Sequence, residues 1–586
     1  MNKYTLITSP TNHHRKDYKY LSYGCLSLFQ EKYKKNIIQN HPWNNKKKYL
    51  NDAVKIKKIY SYVLQKIAKS LNENHKINKD LRYWKIIIGP WLHTFLASYY
   101  EKNLSVDILL KKKQKIIIPI VNFKNENQIP DSFFTFFSKN IYASSWNDHL
   151  FKLIISKKKI GKNFSFKKKI YKNFKESKKK MNKSYVKTLQ KILLSLTNLI
   201  FFPLIKKQPL VFFNSYLSLK NKLFLIFKNL SLPIYFNEEK KFVYPDTFLR
   251  ESLIKKFKKN DINTEILKLS LLNIPTDFLE NFNYIGKKIS KLNIPKKPKV
   301  ILTANGIYGS SFEARYIAEC ISNGTKLILA QHGGRYENLK DFFHLNHEVD
   351  ISDFFIGWGG KKNNIKIKNL GIIKPIKIFK KDNRKKNNIL FLMLARGRYL
   401  RTIDSEINLK NLFYYYHEIC PNFYDSLKNN IKKNLIYRSS INNYWNEKEF
   451  LEKKNPFCKI DFNRHKSNLF NEARESKVVV CSYFSTTFLE LMSANIPVIL
   501  FTPFNNESYN TETLKAFSEM KKNFIFFNNY KNAAKFINKN WNDIDNWWYS
   551  KKTQKTRKYF LNKFSKYNQQ LIFDIQTLIN NLTKIK

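Results

Sequence analysis

The chain has 586 residues, 43% of them hydrophobic and 16% aromatic, and carries a formal net charge of +63 at pH 7. This length exceeds what one hydrophobic core usually serves, and the apolar content excludes a globally disordered chain. The 107 Lys and Arg residues run along the whole chain without gathering into one basic arm. We therefore expect nucleic acid not to be a partner, while attraction to anionic lipids or phosphorylated substrates stays open.

The cysteine spacing and the apolar runs indicate the cellular compartment of the protein. The five cysteines are far apart and form no CxxC pair, which argues against a disulfide scaffold or a structural zinc site and fits a reducing compartment. The first apolar run ends before His13, too early for a signal peptide. The longest run, residues 192–205, is shorter than the roughly 20 residues that span a bilayer. The sequence predicts a buried helix there and a cytoplasmic protein, with peripheral contact at the inner membrane surface as an alternative.

The first part of the chain mixes short strand patterns with helical stretches. Strand patterns occupy residues 4–8 and 116–121, and helical spacing of apolar residues occupies 51–73. A strongly apolar segment follows, which is expected to break or kink at Gly89-Pro90 because proline cannot continue the helical hydrogen bonds. The lysine-rich residues 155–187 indicate a solvated excursion or a weakly specified helix.

From residue 298 the pattern becomes regular. Strand patterns at 299–303, 326–330 and 353–358 are separated by helical stretches or loops, notably residues 311–322. Such alternation predicts parallel strands with helical crossovers. The basic residues 373–387 then show no apolar periodicity and are expected to form a linker.

A second alternation follows the linker. Its predicted strands and helices are residues 388–394, 408–420, 435–437, 478–482, 486–494 and 498–501. Two alternations predict an α/β fold with two Rossmann-like lobes and helical, Lys-rich insertions in the N-terminal half. The predicted divisions are an N-terminal lobe over 1–372, the linker over 373–387, a C-terminal lobe over 388–550 and a helical tail over 551–586.

A histidine follows the strand at 326–330, in the sequence QHGG. His332 is thereby predicted at the carboxyl edge of a parallel sheet, where open α/β sheets bind ligands, and the glycines allow close approach of a backbone. Its imidazole can take a proton from an attacking hydroxyl or, as a cation, stabilise a phosphate. A tight turn with a structural histidine is the alternative. Asn305 and Gly306 follow the preceding strand and would border the same crevice.

Residues 478–500 (VVVCSYFSTTFLELMSANIPVIL) predict a buried strand, a polar turn and a helix. Ser485, Thr486 and Thr487 place hydroxyls and N-terminal amides where a phosphate can bind. Glu490 lies one turn further on, where a carboxylate can accept hydrogen bonds from ribose hydroxyls. An ordinary helix cap, with a glutamate near the positive end of the helix dipole, is the alternative.

Arginines follow two other strands of the same lobe. Arg396 and Arg398 come after residues 388–394, and Arg438 comes after 435–437. Guanidinium groups at strand ends suit a diphosphate, with a solvated surface position as the alternative for Arg398. The sequence has no Walker loop, GxSxG elbow, HExxH or GxGxxG motif, and its histidines lack metal-ligand spacing. We therefore expect no metal and no cofactor.

The chain resembles a family of transferases first defined in spirochaetes and encoded among surface-polysaccharide and lipopolysaccharide genes. The likeness runs in order through RYWKIIIGPWL (82–92), NIPTDFLE (273–280), ILTANGIYG (301–309), QHGG with Tyr336, HEVDISDFFIGWG (347–359), residues 478–500 and WNDIDNWWYS (541–550). Arg335 and Glu337 each stand where the family usually has a glycine. The second half is more distantly similar to GT-B glycosyltransferases, in which a Ser/Thr turn and a helix Glu hold a nucleotide donor.

The resemblance implies transfer of a glycosyl or related group from a nucleotide-activated donor to a surface-polysaccharide or lipid-linked acceptor. His332 would be catalytic, and the C-terminal lobe would hold the donor with Arg396, Arg438, Ser485, Thr486, Thr487 and Glu490. The N-terminal lobe would face the acceptor with Asn305, Gly306, Gly333 and Gly334. A CDP-glycerol-type polyol-phosphate transferase and a non-catalytic glycan- or nucleic-acid-binding protein are the alternatives.

Overall fold

Three β-sheets organise the protein. The computed structural model describes residues 3–10, 17–26, 38–120, 128–168, 208–231, 234, 236, 242–360, 364–382, 386–403, 409–439, 444–461, 468–502 and 508–584. Every pair of neighbouring strands in the three sheets is parallel. We call the parts of the chain around these sheets the first, second and third units. The second and third units confirm the predicted α/β fold with two Rossmann-like lobes, and the first is an additional parallel sheet.

The first unit has four strands in the order β2-β1-β3-β4. They are β1 (Tyr4–Ile7), β2 (Tyr18–Tyr20), β3 (Ile116–Ile120) and β4 (Phe164–Lys168). The helices are α1 (Lys46–His75), α2 (Leu81–Leu110), α3 (Phe133–Ser138) and α4 (Ser144–Ser156). The strands predicted at 4–8 and 116–121 are β1 and β3, which pair with each other across two long intervening helices. Strand β4 also lies within 155–187, where pairing with β3 along five residues overrides the Lys-rich composition.

Helix α2 continues through the Gly89-Pro90 pair, so the pair does not end the helix, and a kink at this point stays a prediction. Pro90 leaves the carbonyl of Ile86 without its usual helical donor, but this stretch is fully buried and its packing holds the helix together. Gly89 permits a close contact, because a Cβ there would lie 2.7 Å from Cε1 of His347 and 2.8 Å from the Tyr60 hydroxyl. Packing therefore decides the structure of this segment.

The second unit has five strands in the order β5-β6-β7-β8-β9. They are β5 (Leu210–Phe212), β6 (Val300–Thr303), β7 (Lys326–Ala330), β8 (Phe354–Gly357) and β9 (Ile367–Asn369). The helices are α5 (Leu219–Asn229), α6 (Thr247–Lys255), α7 (Ile262–Asn273), α8 (Phe282–Lys291), α9 (Gly306–Gly309), α10 (Ser311–Ser322) and α11 (Phe343–Ile351). Strand β5 and the edge strand β9 were not evident from the sequence pattern.

The third unit has six strands in the order β12-β11-β10-β13-β14-β15. They are β10 (Asn388–Leu392), β11 (Leu435–Arg438), β12 (Lys459–Asp461), β13 (Ser476–Cys481), β14 (Val498–Phe501) and β15 (Phe526–Phe527). The helices that come first along the chain are α12 (Leu409–Tyr414), α13 (Cys420–Asp425), α14 (Asn429–Lys432), α15 (Glu447–Lys454) and α16 (Leu469–Glu475). Then come α17 (Thr486–Ser493), α18 (Thr511–Lys522), α19 (Tyr530–Asn540) and α20 (Ile544–Tyr549).

The chain ends with α21 (Lys551–Phe564) and α22 (Leu571–Lys584), which pack on different units. Phe560 of α21 belongs to the core of the third unit, whereas Ile575 of α22 belongs to the core of the second. Between these helices, the Lys566 backbone N–H donates to Trp358 O, and Lys566 O accepts from the N–H of Ile372, both at 2.9 Å. The chain thus crosses between the two units at least twice, and the two crossings lie side by side.

The third unit also contacts the first. Arg398, which follows β10, is buried and donates a hydrogen bond to the carbonyl of Leu26. The Tyr399 hydroxyl donates to the carbonyl of Thr8 at 3.4 Å. The interpretation of Arg398 as a solvated surface residue is therefore wrong, because its guanidinium is used where two units meet.

Across the described ranges, no helix is long and apolar enough to cross a membrane. Residues 192–205, for which a buried helix is predicted, lie outside those ranges.

Candidate functional site

The loop that carries His332 lies against the start of helix α17. Thr486 is the first residue of α17, and its Oγ1 accepts a hydrogen bond of 2.7 Å from the backbone N–H of Gly334. His332 follows β7 in the second unit, whereas α17 follows β13 in the third. The structure therefore brings the predicted acceptor-side loop and the predicted donor-side helix together at one place between two sheets.

The two glycines of the QHGG loop make this approach close. A Cβ on Gly334 would lie 2.9 Å from the Thr486 backbone nitrogen and 3.1 Å from the Ser485 carbonyl carbon. A Cβ on Gly333 would meet only the Thr486 side chain, with Oγ1 at 3.1 Å. Sequence reasoning anticipates a close backbone approach at these glycines, and the partner in this structure is the helix end of the third unit.

The hydroxyls at the start of α17 have different partners. Ser485 is the helix N-cap, and its Oγ accepts a hydrogen bond of 3.3 Å from the Phe488 N–H. Thr486 Oγ1 binds Gly334, and Thr487 is half-buried beside it. The capping interpretation therefore holds for Ser485. The N-terminal end of the helix dipole still points toward the His332 loop, which is where an anion is stabilised.

His332 is linked to a buried carboxyl group through a tyrosine. Its Nδ1 lies 2.9 Å from the hydroxyl of Tyr336, and that hydroxyl donates to Oε1 of Glu348 at 2.8 Å. The Tyr308 hydroxyl, from α9, donates to the same oxygen at 2.8 Å. Glu348 is fully buried, and its Oε2 has no hydrogen-bond partner in the described part of the chain. The imidazole can therefore exchange a proton with Tyr336 and, through it, with Glu348.

The protonation states at this site follow from burial. Burial lowers the pKa of His332 to about 3, and electrostatic interactions with His344 and Lys374 act in the same direction. Burial also raises the pKa of Glu348 to about 8. Near neutral pH the imidazole is therefore neutral and the carboxyl keeps its proton. About a quarter of the His332 side chain (24%) is exposed, so a ligand can reach it. A neutral imidazole fits proton acceptance better than the role of a phosphate-binding cation.

The buried carboxyl leads to a prediction about stability. The pKa of Glu348 in the folded protein lies above its ordinary value of 4.5. The stability that comes from keeping this group protonated is therefore complete below about pH 4.5 and is lost as the pH rises through about 8. The side chain introduced by Glu348→Gln cannot ionise. The difference in unfolding free energy between the variant and the wild type should therefore shift in favour of the variant by roughly 1–4 kcal/mol when the pH is raised from about 5 to about 9.

Urea unfolding of both proteins at the two pH values measures this gain. Glu475→Gln, at an exposed position, is the matched control and should show the same pH dependence as the wild type. A Glu348→Gln protein whose stability differs from the wild type equally at both pH values would show that Glu348 is ionised in the folded protein.

Glu490 is held by a lysine that sequence analysis does not single out. The ammonium of Lys374 donates to Glu490 Oε1 at 3.0 Å, and both side chains are mostly buried. The same ammonium lies 5.2 Å from the ring centre of Tyr216 and 5.7 Å from that of Trp358. Its charge contributes to the lowered pKa of His332. Lys374 thus joins the His332 loop electrostatically to Glu490 of α17.

Asn305 and Gly306 lie at the end of β6, next to the same region. The Asn305 side-chain amide donates to the Tyr216 hydroxyl at 3.2 Å. A Cβ on Gly306 would lie 2.6 Å from the ring of Phe213, so the start of α9 can pack closely only with glycine here. Helix α9 then supplies Tyr308 to Glu348. Their predicted contact with an acceptor stays a prediction.

Arg396 and Arg438, two of the predicted arginines, lie at neighbouring strand ends of the third sheet. Arg438 is buried, its guanidinium donates to Glu472, and it lies 3.8 Å from Asp461 Oδ2. Its charge is already balanced by two carboxylates. The backbone of Arg396 is fixed, because its carbonyl accepts a hydrogen bond of 3.0 Å from the Trp445 indole. Both residues share a sheet edge with α17, and their role as diphosphate ligands stays a prediction.

The unusual Arg335 occupies a position whose backbone favours glycine. Its φ is +79°, in the left-handed region that side chains rarely adopt. Its guanidinium lies 5.9 Å from the ring centre of Phe342. The glycine that is usual in the resembled family would fit this turn without strain.

Residues of the site that the sequence-based set lacks include Tyr308, Tyr336, Glu348 and Lys374. Tyr308 and Glu348 lie in segments that carry the family resemblance, 301–309 and 347–359, so the signal was available there. Lys374 lies in the stretch interpreted as a linker, where its lysine-rich surroundings hide it. Within the described ranges, no group of three His, Cys, Asp or Glu side chains is placed to hold a metal ion.

Comparison with solved structures finds only distant similarity. The wall teichoic acid polymerase TagF is 11% identical, with a TM-score of 0.32 and coverage of 69% of this chain and 99% of TagF. MurG of Acinetobacter baumannii is 10% identical, with a TM-score of 0.31 and coverage of 63% of this chain and 99% of MurG. No curated protein sequence matches the chain.

Comparison with protein families gives a match that spans nearly all of the chain. Residues 19–579 match the LIC12162 family transferase. This range contains every strand of the three sheets except β1 and the first residue of β2, Tyr18. It also contains His332, Glu348, Lys374 and α17. The chain belongs to the LIC12162 family of transferases.

Proposed function

We propose that this transferase moves a glycosyl or related group from a nucleotide-activated donor to a surface-polysaccharide or lipid-linked acceptor. One observation carries the proposal: the His332 loop and the N-terminal end of α17 meet, with 2.7 Å between Gly334 N and Thr486 Oγ1. A proton acceptor and an anion-stabilising helix end then border one crevice. Group transfer from a diphosphate needs both, because the acceptor loses a proton while the leaving group gains negative charge.

In the proposed reaction, His332 accepts the proton of an acceptor hydroxyl as the oxygen forms its bond to the transferred group. The bond between that group and the donor diphosphate breaks, and its electron pair stays on the diphosphate. The imidazole becomes positively charged 3.9 Å from Oε1 of Glu348. The Tyr336 hydroxyl, which lies 2.9 Å from His332 Nδ1 and donates to Oε1 of Glu348, orients the ring for this proton transfer. The amides of α17 and the Lys374 ammonium stabilise the leaving diphosphate.

The donor is identified by a binding screen. We expect CDP-, UDP-, GDP- or CMP-activated compounds to raise the melting temperature of the purified protein, and the preferred base narrows the donor. A preference for CDP-polyols would favour polyol-phosphate transfer over glycosyl transfer. Slow hydrolysis of the preferred donor would distinguish an enzyme from a glycan-binding protein. Absence of both stabilisation and hydrolysis with every donor class would contradict the proposal.

Lys374→Met should weaken binding of the preferred nucleotide by about 10- to 150-fold, because a charge-assisted hydrogen bond contributes roughly 1.5–3 kcal/mol. Titration calorimetry measures the change. Lys377→Met is the matched control, because Lys377 is exposed on the same segment and lies near the ring of Phe379. Lys374→Arg should retain most of the affinity. Equal affinities for the Met variants at 374 and 377 would remove Lys374 from the donor site.

A further inference from the structure

The outer face of helix α5 carries large apolar side chains in solvent. Leu219, Leu223, Phe227 and Leu230 are 74%, 42%, 76% and 84% exposed, respectively. Leu219, Leu223 and Phe227 are spaced four residues apart, so they lie on one side of the helix. A solvent-facing side of a helix in a globular protein is normally polar. We call these four side chains the α5 apolar face.

The opposite side of α5 is firmly packed, so the exposure does not come from a loosely held helix. Leu225 is fully buried in the core of the second unit, and the ring of Phe224 lies 5.1 Å from that of Phe573 on α22. Asn229 and Gln576 of α22 exchange two side-chain hydrogen bonds of 2.8 and 3.0 Å. Helix α5 is therefore apolar on both sides, and among the residues that the structure describes only one side is packed against a partner.

Leu230 is an unusual end for this helix. It has φ +46° and ψ +46°, the left-handed conformation in which glycine or asparagine is favoured, and its side chain is 84% exposed. Neither backbone conformation nor burial favours leucine here.

The charged residues of helix α5 are all positive. The helix contains Lys220, Lys222 and Lys228 and no acidic residue, in a chain with a formal net charge of +63. Apolar side chains flanked by lysines are the composition of helices that lie in the interface of an anionic bilayer. There the apolar groups enter the acyl boundary while the ammonium groups contact anionic headgroups.

We propose that the α5 apolar face docks the protein on an anionic lipid bilayer. The face begins close to the candidate site, because the N-cap of α5 is Ser218 and Tyr216 precedes it by two residues. Tyr216 accepts a hydrogen bond from Asn305 and lies under the Lys374 ammonium. A lipid-linked acceptor would then be presented beside the site. That last link rests on the proposed function, whereas bilayer binding does not.

Vesicle flotation tests the proposal, with vesicles of phosphatidylcholine containing about 30% phosphatidylglycerol and with pure phosphatidylcholine vesicles. The wild type should float with the anionic vesicles. A double Leu223→Ser and Phe227→Ser variant should bind at least about tenfold more weakly, since two large apolar groups no longer leave water. The difference should persist at about 0.5 M KCl, where contributions from the remaining lysines are screened.

Two comparisons separate this docking from general stickiness. Phe457→Ser removes an aromatic residue that is 82% exposed in the third unit and should leave flotation unchanged. Replacing Lys220, Lys222 and Lys228 by Gln should weaken binding to anionic vesicles at low salt and remove most of the preference over neutral ones. Circular dichroism and nucleotide-induced thermal shifts should match the wild type in every variant, which separates bilayer binding from donor binding.

Unchanged flotation of the Leu223→Ser and Phe227→Ser variant at high salt would overturn the proposal, as would equal loss in Phe457→Ser. Light scattering tests whether a second copy of the chain, and not a bilayer, binds the α5 apolar face. If the double variant becomes smaller in solution while its vesicle binding is unchanged, the face is a subunit interface and the proposal is wrong. If bilayer docking holds but no nucleotide binds, only the proposed function fails.

Discussion

His332→Gln and His332→Ala should reduce turnover by about 10²–10⁴-fold, the range that a positioned general base usually contributes. The protein should stay folded, because the His332 side chain is 24% exposed and follows the end of strand β7. Donor affinity should change little, since the proposed base faces the acceptor. Turnover of the preferred donor, its dissociation constant and the circular dichroism spectrum together measure these effects.

Two further variants define what His332 does. Tyr336→Phe keeps the ring but removes the hydroxyl between His332 and Glu348, so kcat should fall less than in the His332 variants and its pH profile should shift. His417→Gln, in the third unit between Phe413 and Phe450, is the control and should retain turnover. Wild-type turnover in a folded His332→Gln protein would end the assignment of His332 as the base.

Gly334→Ala should lower both stability and turnover. Its Cβ would come within 2.9 Å of the Thr486 nitrogen and 3.1 Å of Thr486 Cα, which are backbone atoms of α17. The loop and the helix must then separate, and the hydrogen bond from Gly334 to Thr486 is lost. Overpacking of this kind typically costs about 1–3 kcal/mol in unfolding free energy. We expect turnover to fall at least about tenfold, since a displacement near 1 Å is enough for such a loss.

Gly333→Ala is the matched control for this contact. Its new methyl group would meet only Thr486 Oγ1 at 3.1 Å, and a small shift of that side chain relieves the contact without moving the backbone of α17. The loss of stability should therefore be well below that of Gly334→Ala. Urea unfolding and donor turnover, measured on both variants, decide the point. Similar losses in the two variants would mean that the close contact at Gly334 has no special role.

Several elements follow from local pattern alone. The helix Ser311–Ser322 and the strands Lys326–Ala330 and Val498–Phe501 have the bounds that the sequence predicts. These segments are buried stretches with clear breaks on both sides, so local propensity and tertiary packing favour the same structure. The α/β fold could therefore be predicted from the sequence.

What the sequence hides depends on contacts between distant residues. The pairing of β1 with β3 and the continuation of α2 through Pro90 are decided by packing that no short window contains. The contact of Gly334 with Thr486 joins residues 152 positions apart. Lys374 becomes a site residue only because its neighbours on other segments are Glu490, Tyr216 and Trp358. The residue types of the site were predictable, whereas their assembly was not.

The paired crossings near Lys566 have a mechanical consequence. The segments at Ile372 and Lys566 are joined by a hydrogen bond, so the two connections between the second and third units lie side by side. Lys374 lies two residues beyond Ile372 and binds Glu490 of the third unit. A second set of contacts joins the same units, because Lys340 N donates to Ser508 O and Asn510 N donates to Asn338 O, both at 2.9 Å. A rotation of one unit against the other would have to break these hydrogen bonds, so the contact between the His332 loop and α17 is held from two sides.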